Sequence, residues 1–200
     1  MFFEQKHVPG RQAAVDFTHC TELGVTIAGQ LFVHLLFEFV LSFSKWRWIC
    51  LAYAETSEAL VFGLQGALWD LGGVPGMLRS DNLSAATHEL KEGGRGINKR
   101  FRAVLDHYGM KSSRIRVGKA NENGVVEKAH DITKTLIAQA LQLRGSRDFD
   151  SPEQYLSFAR EVIEQRHNRH ILDRLTEERL HQLPSCRLPD YTAHEPAVRK

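Results

Sequence analysis

The chain has 200 residues, of which 42% are hydrophobic and 25% charged, with a net charge of +2. That length buries a real core in one domain, and the balance is that of an ordinary soluble globular chain, which excludes collagen-like and low-complexity classes. A charge so close to neutral neither requires nor excludes a nucleic-acid partner. Cys20, Cys50 and Cys186 are widely spaced with no C-x-x-C pair, so neither a disulfide framework nor a zinc site is indicated and a reducing cytoplasm fits. Met1 to Lys6 lacks the apolar core of a signal peptide, and Leu31 to Val40 is too short, and interrupted by His34 and Glu38, to span a bilayer.

In chain order, Pro9-Gly10 is a turn signal and Gln12 to Thr18 a short apolar run suited to a buried strand. Leu31 to Val40 and Phe43 to Ala54 are rich in Phe, Val, Ile, Trp and Tyr and read as two more strands, the second carrying Trp46 and Trp48 on one face. Short connections make the three an antiparallel meander. Thr56 then reads as the N-cap of a helix that Gly72-Gly73 stops. Gly76 to Ser80 is a fourth strand ending at Asp81, and Asn82 to Leu90 reads as the start of a helix. Lys91 to Gly96 reads as a glycine-rich basic loop, Asn98 to Tyr108 as a helix and Met110 to Val117 as a fifth strand. Val125 to Leu143 has helical periodicity, and Ser151-Pro152-Glu153 opens a helix to about His170. Beyond Leu183-Pro184 no periodicity continues. The order β-β-β-α-β-α-β-α-α predicts a mixed α/β sheet with helices on its faces.

Three carboxylates fall at telling places in that order. Asp16 and Asp81 sit at the ends of short apolar runs, where strands should end, and Glu127 at the start of the long helix. Oxygen donors gathered from distant elements suit a pair of Mg²⁺ ions and phosphoryl-transfer chemistry, because hard cations bind readily between carboxylates and phosphates. Taken singly, Asp16 and Asp81 read equally well as turn or cap residues. Glu122, in the polar loop before the helix, is a rival for the third position. Lys91 to Arg116 adds Lys91, Arg95, Lys99, Arg100, Arg102, Lys111, Arg114 and Arg116 against only Glu92 and Asp106. Such a stretch is either a DNA-facing surface or a solvated helix face. His167 and His170 lack a third ligand at zinc spacing. His19 and Cys20, as neighbours on a strand, point to opposite faces and make a poor nucleophilic pair.

Asp16 in V-D-F-T, Asp81 in R-S-D-N and Glu127 in G-V-V-E-K-A resemble the acidic triad of the DDE integrase–transposase superfamily. The stretches Pro9 to Phe17 and Gly124 to Lys128 resemble the IstA-type transposases of insertion sequences, and the likeness extends over roughly residues 1–185. The resemblance implies a ribonuclease-H-like fold with a five-stranded mixed sheet: an integrase-type core over 1–145, a helical extension over 146–183, and a linker over 184–200. It implies a DDE-type polynucleotidyl transferase in which Asp16, Asp81 and Glu127 hold two Mg²⁺, with Mn²⁺ as substitute. The chemistry would be DNA cleavage followed by 3′-OH strand transfer. Lys134, seven residues after Glu127, would contact DNA together with Asn82, Lys128 and Arg100. DNA ends and target, a homo-oligomer on DNA, an AAA+ ATPase helper and a nucleoid-associated cytoplasmic location follow in the same way. IstA-type proteins are longer, with a helix-turn-helix region before the core and a small β-rich domain after it. A truncated, non-catalytic DNA-binding or regulatory remnant and a ribonuclease-H-like nuclease are therefore the alternative expectations.

Overall fold

The computed structural model describes residues 7–80, 87–89, 95–97, 99–114 and 124–189, with side chains over 7–80, 101–112 and 131–189. Its main sheet has five strands in the order β5-β4-β1-β6-β9. These are β1 (Gln12–His19), β4 (Leu35–Leu41), β5 (Arg47–Ala52), β6 (Met77–Ser80) and β9 (Lys111–Arg114). β1 runs antiparallel to β4, and β4 to β5, while β6 lies parallel to β1 and β9 parallel to β6. The predicted mixed sheet is thus borne out, with the first strand at its centre.

Alternation across the strands divides the core in two. Val15, Phe17, Phe37, Phe39, Trp46 and Trp48 pack on one face, beneath α1 (Ser57–Leu71) and α2 (Lys99–His107). Leu36 and Ile49 point to the other face and meet Ile137 and Leu141 of α3 (Gly124–Arg144) and Tyr155, Ala159 and Ile163 of α4 (Pro152–Arg166). The two tryptophans are therefore core residues. Gly63 and Gly66 let α1 approach the sheet closely. A Cβ on Gly63 would stand 2.4 Å from the Phe37 ring, and one on Gly66 2.5 Å from Trp48.

The helix ends obey their capping residues. Thr56 accepts the Ala59 N–H at 3.2 Å, and Gly72, at φ 76°, returns its N–H to Leu68 O. Ser151 does the same for α4 by accepting from Gln154 N, with Pro152 at the first helical position.

Other expectations are corrected. The run from Leu31 is not one strand. Leu31 belongs to β3 (Gln30–Leu31), which pairs with β2 (Thr26–Ile27) around Ala28 and Gly29, both at positive φ, as a two-residue hairpin turn requires. β10 (Asp148–Phe149) completes this second sheet, and Asp148 accepts from Thr26 Oγ1 at 2.6 Å and from Gly29 N at 2.8 Å. The strand expected from Phe43 starts only at Arg47, because Lys45 takes φ 70° in the turn that closes Leu41 onto Trp46. Residues 87–89, expected in a helix, form β7 (Thr87–Glu89), paired antiparallel with β8 (Arg95–Ile97) out of the expected loop. The last predicted helix breaks at His167 into a 3₁₀ turn, Asn168–Ile171, followed by α5 (Leu172–Thr176).

Residues after α5 run back across the molecule. His181 bridges to Val74, and the Glu178 carboxylate accepts from Gly10 N and Ser44 N. Leu180, Leu183 and Leu188 pack on the first core, and the buried Gln65 amide exchanges hydrogen bonds with the Leu188 backbone. Among the described residues no helix is long and apolar enough to cross a membrane.

β5 is the outer strand of the sheet, an edge that would template pairing with another chain if left open. Asn168 closes it: its Oδ1 accepts from Arg47 N at 3.1 Å and its Nδ2 donates to Arg47 O at 3.0 Å. Arg160 Nε donates to Ile49 O further along the same edge. Asn168→Ala takes the partner from both Arg47 backbone groups, and a lower unfolding free energy by about 1–3 kcal/mol is the expected result in denaturant titration. Unchanged stability would show that the cap contributes nothing.

Candidate active site

Asp16 sits at the middle of the central strand rather than at its expected end, because pairing with β4 continues to His19; it is half-buried, with Oδ1 accepting the Phe17 N–H at 2.8 Å. Its side of the sheet is the one that α3 covers, since alternation puts Asp16 opposite in sense to Val15 and Phe17. In the β1–β4 register Asp16 lies directly opposite Glu38.

Glu38 is a glutamate inside a strand whose seven residues are all buried, and its side chain has no exposed surface. Arg47 Nη1, on β5, lies 3.5 Å from Glu38 Oε1, and Thr133 Oγ1, on α3, donates to the same oxygen at 2.6 Å. Thr133 in turn accepts from Arg47 Nη1 at 3.0 Å, and Arg47 Nε donates to His167 Nε2 at 3.1 Å. Burial pushes the Glu38 carboxyl up to about 7, against the pull of the Arg47 guanidinium and the Thr133 hydroxyl, and the Asp16 charge adds to the rise. Burial likewise lowers Arg47, with Glu38 opposing, and lowers His167, while the Lys45 carbonyl, 2.9 Å from the same His167 Nε2, pulls the other way.

The other expected site residues divide by position. β6 ends at Ser80, which pairs with Val15, and Asp81 and Asn82 lie outside the described residues. Glu127 and Lys128 are on the first turns of α3 and Arg100 on α2, with side chains outside the described part. Glu122 also lies outside it. Lys134 Nζ stands 2.5 Å from Glu22 Oε1, in the 3₁₀ turn after β1. Among the described residues no group of three or more His, Cys, Asp or Glu could hold a metal. Asp16, a half-exposed hard oxygen donor beside a buried carboxylate, is of the type that suits Mg²⁺. Cys20 and Cys50 are no rivals, because burial pushes their thiols up to about 12.

The same arrangement of strands recurs in solved structures. A chain of the simian T-cell lymphotropic virus intasome superposes with TM-score 0.61 at 19% identity, covering 100% of this chain and 63% of that one. The HTLV-2 integrase catalytic core in complex with magnesium gives 0.57 at 19% identity, covering 80% and 89%. The BIV integrase catalytic core gives 0.54 at 18% identity, covering 78% and 82%. The fold is that of an integrase catalytic core. The resemblance drawn from Asp16, Asp81 and Glu127 is thereby borne out at the level of fold.

No protein-family model matches the chain. Among curated proteins, an uncharacterized protein of Sinorhizobium fredii is 39% identical over 195 residues, 96% of this chain and 38% of that protein. A putative transposase for insertion sequence element IS5376 of Geobacillus stearothermophilus is 29% identical over 122 residues, 61% of this chain and 30% of that protein. The chain thus spans about a third of the length of the curated relatives it matches.

Sequence reading of the site passed over Glu38, Arg47 and Thr133. A signal was available: a carboxylate inside an otherwise apolar strand, with an arginine in the next strand between two core tryptophans.

Proposed function

We propose that the chain is the catalytic core of a DDE-type transposase or integrase, cutting DNA and joining the freed 3′-OH to target DNA. The observation that supports this best is Asp16 at the centre of β1, on the side of the sheet that α3 covers, with β6 running parallel beside it to the residue before Asp81. Asp16, Asp81 and Glu127 would hold the Mg²⁺ ions, with Mn²⁺ as substitute. Held there, the ions would supply activation of an attacking oxygen and stabilisation of the leaving one. Asp16, oriented by the Phe17 N–H, holds its carboxylate fixed on a rigid strand. Lys128, Asn82, Arg100 and Lys134 would steer the phosphate backbone, Lys134 by exchanging Glu22 for a phosphate. A homo-oligomer on paired DNA ends and an AAA+ ATPase helper rest on the family likeness alone.

Asp16→Asn tests the reading in an Mg²⁺-dependent cleavage and strand-transfer assay on oligonucleotide ends. Both steps should fall at least about a thousandfold, roughly 4 kcal/mol of barrier. DNA affinity should hold within about twofold, since a metal ligand rather than a phosphate contact is lost. Full strand transfer by the variant would remove the assignment. Cleavage without joining by the wild-type chain would mark it as a nuclease instead.

A further inference from the structure

Glu38, Arg47 and Thr133 come from three different elements, β4, β5 and α3, and their polar atoms meet inside the protein. The Thr133 hydroxyl is wholly buried and used in both senses, donating to Glu38 and accepting from Arg47. Arg47 is itself pinned by Asn168 on its backbone and by His167 on its Nε. Stability alone explains this poorly, because a buried ion pair can often be replaced by apolar side chains of similar volume at no loss.

Directional bonds do something that the surrounding Ile137, Leu141, Leu36 and Ile49 cannot. A slide of α3 by about 1 Å along its axis leaves apolar side chains in contact, but it takes both Thr133 bonds, at 2.6 and 3.0 Å, out of hydrogen-bonding range. The point so fixed is Glu38, directly across from Asp16. Glu127 lies six residues before Thr133 on the same helix, about 9 Å along its axis.

We propose that Thr133, clasped by Glu38 and Arg47, is a positioning residue that sets the register of α3 against β1, and so the spacing between the carboxylates of Glu127 and Asp16. This rests on the catalytic-core reading above. Groups that orient metal ligands change metal affinity about 10–100-fold when removed, although they never touch the ion.

Mn²⁺ alone, without DNA, is the probe, with free ion followed by electron paramagnetic resonance and folding by thermal melting. Thr133→Val deletes the hydroxyl at nearly constant volume, and Thr133→Ser keeps it. The valine variant should bind Mn²⁺ about tenfold more weakly while the serine variant stays within about twofold of wild type. A valine variant with a lowered melting temperature and wild-type Mn²⁺ affinity would make the cluster merely structural and overturn the proposal. If the valine variant does not fold, Thr133→Ala, a better helix former, carries the same expectation and the same overturning result. Asp16→Asn separates the two readings. If it keeps wild-type Mn²⁺ binding, the catalytic-core reading itself falls and takes this inference with it. If it loses binding while the valine variant does not, only the positioning role falls.

Discussion

Arg47→Met should destabilise the protein by about 3–5 kcal/mol at pH 8, because it removes the cation beside a carboxylate with no route to water. Glu38 is wholly buried, and Arg47 is the cation beside it, 3.5 Å away. With Arg47 present, the Glu38 carboxyl already stands near 7 rather than at its usual 4.5, and loss of the guanidinium raises it further. The sign follows from linkage. A carboxyl whose folded value lies above its unfolded value contributes stability that is fully present below the unfolded value and lost as pH rises through the folded one. The loss in Arg47→Met should therefore be largest at pH 8 and shrink toward pH 5, where Glu38 is protonated in the folded protein. Adding Glu38→Gln removes the charge and keeps an acceptor for Thr133, so the double variant should recover most of the pH-dependent part. Denaturant titration at the two pH values reads this directly. Equal destabilisation at both, with no recovery in the double variant, would mean that packing and not the buried charge sets the cost.

Much of the frame that holds this cluster was legible in the sequence. Local chemistry announced the ends of α1 and α4, since Thr56, Gly72 and Ser151-Pro152 act within one turn of their own positions. The central strand was legible because burial on both faces demands an apolar run, which left Asp16 conspicuous within it. What failed depended on distant partners. β2, β3 and β10 are two residues long, too short for any periodicity, and Asp148 reaches back across more than a hundred residues to hold Thr26 and Gly29. Thr87 to Glu89 read as helix because Asp81 looked like a cap, but pairing with Arg95–Ile97 decides its conformation, and Gly93-Gly94 between the two strands was the better signal. Glu38 was noticed only as a charge that kept Leu31 to Val40 out of a membrane. Its significance lies in Arg47 and Thr133, 9 and 95 residues away along the chain, and no spacing rule links such positions.

Glu127→Gln should lower both DNA cleavage and strand transfer by about a thousandfold, roughly 4 kcal/mol of barrier, while Glu122→Gln should leave both within about threefold. The two glutamates differ in what carries them. Glu127 belongs to α3, a helix anchored to the sheet through Thr133, Ile137 and Leu141, whereas Glu122 precedes its first residue, Gly124. Metal ligands must be held to within about half an ångström, which a helix packed on the sheet achieves. Spacing adds a second reason. Seven residues, two helical turns, separate Glu127 from Lys134, so the two share a helix face, and Lys134 reaches Glu22 just beyond the end of β1. Rate constants for the two variants, measured at saturating Mg²⁺ with melting temperatures as a folding control, separate the candidates. Loss in Glu122→Gln with retention in Glu127→Gln would move the third ligand to Glu122 and detach the Thr133 clasp from the chemistry. Retention in both would end the three-carboxylate reading, however well the fold agrees with it.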